Sequence, residues 1–207
     1  MITLLVRKLH MANKKFVTRA ELEAFCRELK IGYPMAIGYL ARHKYLVRIL
    51  RGIFYVKSIE ERKLGKTDIN HLEAVKEALR LKGVNNWYFG LETALKLNNL
   101  THEYFTVDAV ISDAIFRAKP IGIMGHKVAF IKLRPSLLKF GIEKGMLPHS
   151  DIEKTMLDFI YLKRRGRMIP LEPAKMASKN KLKAYAAHYS KAIQKEAERI
   201  YSAKRIH

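Results

Sequence analysis

Between Thr18 and Ser58 the spacing of apolar positions changes twice, and each change marks an element. Leu22, Phe25, Cys26 and Leu29 recur at i, i+3, i+4 and i+7, the stripe of a helix with one buried face. Thr18 stands three residues before Glu21, the spacing of a reciprocal capping box, so the helix is predicted to start there. The stripe stops at Lys30, Ile31 and Gly32. Gly32 suits the left-handed end of a helix, and Pro34 suits the first turn of the next. This second helix, residues 34–44, is predicted to bury Ile37, Leu40 and Ala41 and to turn Met35, Gly38, Tyr39 and Arg42 outward. The period then falls to two. Residues 45–50 and 53–57 are β-branched and aromatic runs joined by Arg51 and Gly52, a hairpin with a cation at its tip.

Helix, short turn, acid-free helix and basic hairpin is the order of a winged helix-turn-helix. In that arrangement the second helix enters the major groove, which nominates Tyr33, Met35, Tyr39 and Arg42 as base-facing residues, Arg being the commonest reader of guanine. The hairpin would set Arg48, Arg51 and Lys57 beside phosphates. His43, between helix and hairpin, is expected to be a partly buried packing residue, with phosphate contact as the alternative.

Before this stretch, residues 2–13 suit a helix with Leu4, Leu5 and Leu9 on one side, and Phe16 and Val17 form an extended link that could pair with the hairpin as a third strand. Residues 59–67 are charged with few apolar anchors and are predicted to be a linker. The expected organisation is a DNA-binding domain over 1–58, that linker, and an α+β domain over 68–207. In the latter, Asp68 is the expected cap of a helix carrying Leu72, Val75, Ala78, Leu79 and Leu81. Residues 85–88 suit a turn, 89–97 a helix, and 105–112, 120–124 and 127–133 strands of a small antiparallel sheet. Ser150 and Glu153 repeat the capping-box spacing before a helix with Ile152, Met156, Leu157, Phe159 and Ile160, predicted to stop near residues 164–167. After a turn at Pro170 and Pro173, a long basic final helix is predicted, with Leu182, Tyr185, Tyr189, Ile193, Ala197 and Ile200 on its apolar face.

Composition narrows the partner. An apolar fraction of 49 % belongs to a folded chain, and a formal charge of +21 exceeds what solubility needs, so a polyanion is expected. No apolar run approaches the roughly 20 residues of a spanning helix, and residues 2–6 are too short an apolar core for a signal peptide, so no membrane partner and a cytoplasmic location are expected. The single Cys26 excludes an internal disulfide or a cysteine-based zinc site.

The hairpin Tyr-Leu-Val-Arg-Ile-Leu-Arg-Gly-Ile-Phe-Tyr-Val over 45–56, Trp-Tyr-Phe-Gly-Leu-Glu-Thr-Ala-Leu over 87–95 and Glu-Lys-Thr-Met-Leu-Asp over 153–158 resemble the AbiEi family, the antitoxins and regulators of type IV toxin–antitoxin systems acting in abortive infection. The resemblance spans roughly residues 16–165. It implies a negative autoregulator that binds inverted repeats in its own promoter, and a C-terminal domain that counters a nucleotidyltransferase-like toxin without needing to bind it. The basic end after Lys179 has no counterpart in that pattern. It would serve as a second DNA-contacting surface or a dimer arm. Inverted repeats call for two DNA-binding domains, hence a homodimer.

Two other classes make different demands on the residues. A metal-dependent nuclease needs clustered carboxylates, often an Asp followed by Glu-x-Lys on a strand. Glu28-Leu29-Lys30 and Glu61-Arg62-Lys63 fall at a helix end and in the expected linker, and Asp108 and Asp113, five apart on a strand, point to opposite faces and do not converge with Glu92. The eight histidines lack zinc spacing, and Gly65-Lys66-Thr67 lacks the glycine and strand of a phosphate loop. No catalytic residue, metal or cofactor is therefore expected. A sequence-blind architectural or RNA-binding protein is the other alternative, and it would bind mainly through the basic C-terminal helix.

Overall fold

A computed structural model describes residues 2–163 and 176–203. The expected helix stop at 164–167 and the turn at Pro170 and Pro173 lie outside them. The fold is mixed α+β, and it divides into two compact units: Met1–Asn85 with Ile123–Gly125, and Asn86–Gly122 with His126–His207. Among the described residues no helix is long and apolar enough to cross a membrane.

The first unit runs α1 (Ile2–Met11), β1 (Phe16–Thr18), α2 (Arg19–Glu28), α3 (Tyr33–Arg42), β2 (Leu46–Leu50), β3 (Ile53–Val56), α4 (Ile59–Leu64) and α5 (His71–Leu81). The capping box at Thr18 is present, with Glu21 N–H donating to Thr18 Oγ1 and Thr18 N–H to Glu21 Oε2. The antiparallel sheet has the order β1-β3-β2, with Val17 opposite Phe54, so the extended link does join the hairpin. Leu5, Leu9, Leu22, Cys26, Ala36, Leu40 and Phe54 meet in one core, which fixes the faces of all three leading helices. Leu4 is exposed.

Two details differ from the sequence reading. Lys30, not Gly32, takes the left-handed conformation after α2 (φ 54°), and Gly32 is the extended N-cap of α3. In addition, α3 buries Ala36 and Leu40 while Ile37 is half-buried and Ala41 exposed. Tyr33 enters the helix as its first residue, and the inward stripe shifts by one position.

The expected linker is a helix. Ser58 and Glu61 form a second capping box, and Gly65 closes α4 in the left-handed conformation (φ 69°). Glu61 is buried and accepts the Tyr55 hydroxyl at 2.5 Å and the Asp68 N–H at 2.7 Å on Oε1, and the Ser58 N–H at 2.7 Å on Oε2. Burial alone would raise its carboxyl, but these donors hold it below the usual carboxylate range. The charges that suggested a mobile segment are thus the caps and anchor that dock it. The cap of α5 is Asn70, paired with Glu73, rather than Asp68. The units therefore divide at Asn85, later than the boundary expected near residue 59.

The chain beyond Asn85 contains β4 (Trp87–Phe89), α6 (Leu91–Leu97), β5 (Val107–Ser112), β6 (Ile121–Ile123), β7 (His126–Lys132), a 3-10 turn (Pro135–Leu138), β8 (Ile142–Glu143), β9 (His149–Ser150), α7 (Ile152–Lys163), α8 (Lys179–Ala186) and α9 (Lys191–Ala203). Its sheet has six strands in the order β6-β7-β5-β4-β9-β8. It is mixed rather than antiparallel, because β5 pairs parallel with β7 and β4 parallel with β9. The tryptophan expected in a turn opens strand β4.

α7 is capped by Asp151, whose Oδ1 accepts Lys154 N–H at 2.8 Å, and Ser150 instead bonds the Thr155 hydroxyl. The expected single final helix is two helices. The chain turns at residues 187–190, which lets the Tyr189 side chain reach inward. Tyr189 O–H donates to Asp158 at 2.8 Å, Tyr88 O–H donates to Asp158 at 2.6 Å, and Lys154 Nζ donates to both tyrosines and to Asp158. Burial pushes the Lys154 ammonium down, Asp158 opposes that, and both tyrosine hydroxyls are driven well up by burial and the adjacent carboxylate.

Candidate nucleic-acid interface

Helix α3 and the β2–β3 hairpin enclose an open cleft of about 670 Å³ within the first unit. Ile37, Gly38 and Ala41 form its helical wall, Leu46, Phe54 and Gly52 its hairpin wall, and Arg19, Arg48, Arg51 and Lys82 its cationic rim. No carboxylate lines it. A Cβ built on Gly38 meets nothing within 4 Å, so the backbone of α3 is approachable there.

Local sequence explains the placement. Gly52 adopts φ 79° at the hairpin tip, and its carbonyl accepts Arg19 N–H at 2.8 Å, which ties the start of α2 to the hairpin. Arg19 is held by Glu23 (Nε to Oε1, 2.7 Å), and its guanidinium lies 5.3 Å from the Tyr33 ring centroid. Burial pushes the Tyr33 hydroxyl up, so that it stays a neutral donor and acceptor.

Of the nominated residues, Tyr33, Arg48 and Arg51 line the cleft. Met35 and Arg42 are exposed with Gly38 at i, i+3 and i+7, a continuous outward stripe along α3 of which Gly38 lines the cleft and Met35 and Arg42 border it. Tyr39 is half-buried on the flank, its ring tilted against His43 at 4.1 Å and stacked with Tyr45 at 6.4 Å. His43 is itself exposed, because the shifted stripe of α3 carries the helix end outward. Lys57 is only 9 % exposed and follows β3 into the α4 cap, so it does not line the cleft with Arg48 and Arg51.

Arg19 and Lys82 were missed. Arg19 carried a signal, since a cation in the first turn of a helix opposes the macrodipole. Lys82 carried none, since a cation at a helix C-terminus is ordinary. In the second unit the carboxylates weighed as metal ligands are engaged separately: Asp108 is buried and accepts the Thr93 hydroxyl at 3.1 Å, and Asp113 accepts the Asn86 amide at 2.8 Å.

No protein-family model matches the chain, and no curated protein does. Among solved structures it is similar to the crystal structure of RV2827C protein from Mycobacterium tuberculosis, with a TM-score of 0.61 and 14 % identity over 97 % of this chain and 75 % of that one. At that identity the likeness is one of fold alone.

Proposed function

We propose that the chain is a DNA-binding transcriptional regulator whose first unit works as a winged helix-turn-helix, with α3 as the recognition helix and β2–β3 as the wing. The observation that carries this reading is the cleft between them, which offers Arg19, Arg48, Arg51 and Lys82 and no carboxylate. Cations on the rim displace counterions from the phosphates and supply affinity, while the outward stripe of α3 reads base edges. Such a division of labour makes binding steeply salt-dependent and site-selective together.

The resemblance to AbiEi antitoxins, carried by the hairpin, residues 87–95 and residues 153–158, extends the proposal. The chain would repress its own promoter by binding inverted repeats as a homodimer. The rest of the chain would counter a nucleotidyltransferase-like toxin in a type IV system without obligatory contact. The test is a fluorescence-anisotropy titration of the full chain against its own upstream DNA and a scrambled duplex of equal length. Tighter binding upstream that survives moderate salt supports the reading. Equal binding that collapses together as salt rises contradicts it and favours a sequence-blind RNA-binding or architectural protein acting through the +21 charge.

A further inference from the structure

Beside the recognition cleft lies a second basic hollow. It has a volume of about 460 Å³, and Ala41, Leu46 and Arg48 line both it and the cleft. Lys44, Lys57 and Arg62 complete its charged lining, and no carboxylate enters it. None of these four cations forms an ion pair among the described residues.

Arg62 and Lys57 are held in ways that an ordinary solvated surface charge is not, and Lys44 and Arg48 stand exposed beside them. Arg62 lies with its guanidinium 3.5 Å from the Tyr45 ring centroid, and its Nε is buried without a hydrogen-bond partner. The ring fixes the plane of the guanidinium and leaves its in-plane donors to a ligand. Lys57 is 9 % exposed, yet both oxygens of nearby Glu61 are already taken by Tyr55 O–H and by the Ser58 and Asp68 N–H groups. Lys44 occupies the left-handed region (φ 58°) after α3, a position that glycine or asparagine fills with less strain. An orphaned buried donor and a largely buried lysine, beside two exposed cations and no carboxylate, make an unmatched positive site.

We propose that Lys44, Arg48, Lys57 and Arg62 form an anion site that takes one phosphate group. Its source is either a backbone phosphate of the duplex flanking the α3 footprint, which rests on the DNA-binding reading, or a free phosphate anion, which does not. Arg48, shared by both hollows, would couple its occupancy to the cleft.

Lys44→Gly is the decisive variant, because glycine relaxes the left-handed turn and should melt no lower than the wild type. Arg62→Gln is the second, and Lys30→Gly, at another left-handed lysine outside the hollow, is the control. Two measurements use the full chain. In the first, binding to upstream and scrambled duplexes is followed across a salt series. In the second, thermal unfolding is followed with rising inorganic pyrophosphate at constant ionic strength.

A backbone-phosphate site predicts that Lys44→Gly and Arg62→Gln weaken both duplexes by the same factor and lower the salt slope by about one. A free-anion site predicts that pyrophosphate raises the melting temperature of the wild type and of Lys30→Gly but not of the two variants. Either result supports the pocket. If the chain binds no duplex at all, the regulator reading fails while the pyrophosphate measurement still decides the pocket. Wild-type behaviour of both variants in both measurements overturns the proposal.

Discussion

At the scale of single residues, charge does two opposite jobs. Arg51 stands exposed at the hairpin tip, where under the proposed function a cation would make a non-specific phosphate contact, whereas Arg42 ends the outward stripe of α3. Arg51→Ala should therefore weaken binding to every duplex and flatten the salt slope by about one, and Arg42→Ala should cost ~1–3 kcal/mol mainly on the preferred site. Equal losses on preferred and random duplex for Arg42→Ala, read by anisotropy, would put α3 elsewhere than against bases. Lys154 and Asp158 are the reverse case, fully buried and bound to each other and to two tyrosines. Asp158→Ala leaves a buried ammonium without its counter-ion and should cost about 3–5 kcal/mol in urea unfolding, while Lys154→Met with Asp158→Leu should cost much less. If the double replacement costs as much as the single one, the network is not acting through charge burial.

At the scale of elements, what could be read from the sequence was set by whether a pattern was local. The capping box at Thr18, the stripe of Leu22 and Cys26 and the Arg51–Gly52 turn involve neighbours along the chain, and they recur in the structure as α2 and the hairpin. α4 was illegible because its anchor is a long-range bond: Glu61 reads as one more surface acid until Tyr55 is placed above it. The mixed sheet was hidden for the same reason, since parallel pairing of β5 with β7 leaves no turn signature between them. The break between α8 and α9 escaped notice because Tyr185, Tyr189 and Ile193 keep helical spacing across it. The cleft was half legible: Tyr33, Arg48 and Arg51 follow from the element order, whereas Lys82 arrives from α5, which the sequence assigned to the other domain.

The Glu61 anchor also gives α4 a pH dependence. Its carboxyl is held below the ordinary value near 4.5, so the stabilisation is complete above that value and is lost as pH falls through the lowered one. Protection of the α4 amides, relative to their intrinsic exchange rates at each pH, should fall on acidification in the wild type. In Glu61→Gln it should already be lower at neutral pH and change less with acid. An acid response identical in the two proteins would show that another group controls it.

At the scale of the whole chain, the positive charge and the cleft make separable contributions. A charge of +21 spread over 207 residues guarantees attraction to any polyanion, so affinity alone says little about mechanism. Under the proposed function, selectivity has to come from a surface that presents side chains to base edges, and in the first unit the proposed surface is α3 with the adjoining hairpin. The proposed use of inverted repeats also requires two copies of that surface on one operator, so binding should be cooperative in protein concentration.

The most direct test compares the wild type with the Arg48→Ala/Arg51→Ala double variant on the chain's own upstream duplex, by anisotropy across a salt series. If the cleft is the interface, the double variant binds the upstream and scrambled duplexes more weakly by the same factor, and its salt slope falls by about two, one for each phosphate contact removed. A double variant that keeps the wild-type affinity and slope would contradict the account and move the nucleic-acid interface away from α3 and the hairpin.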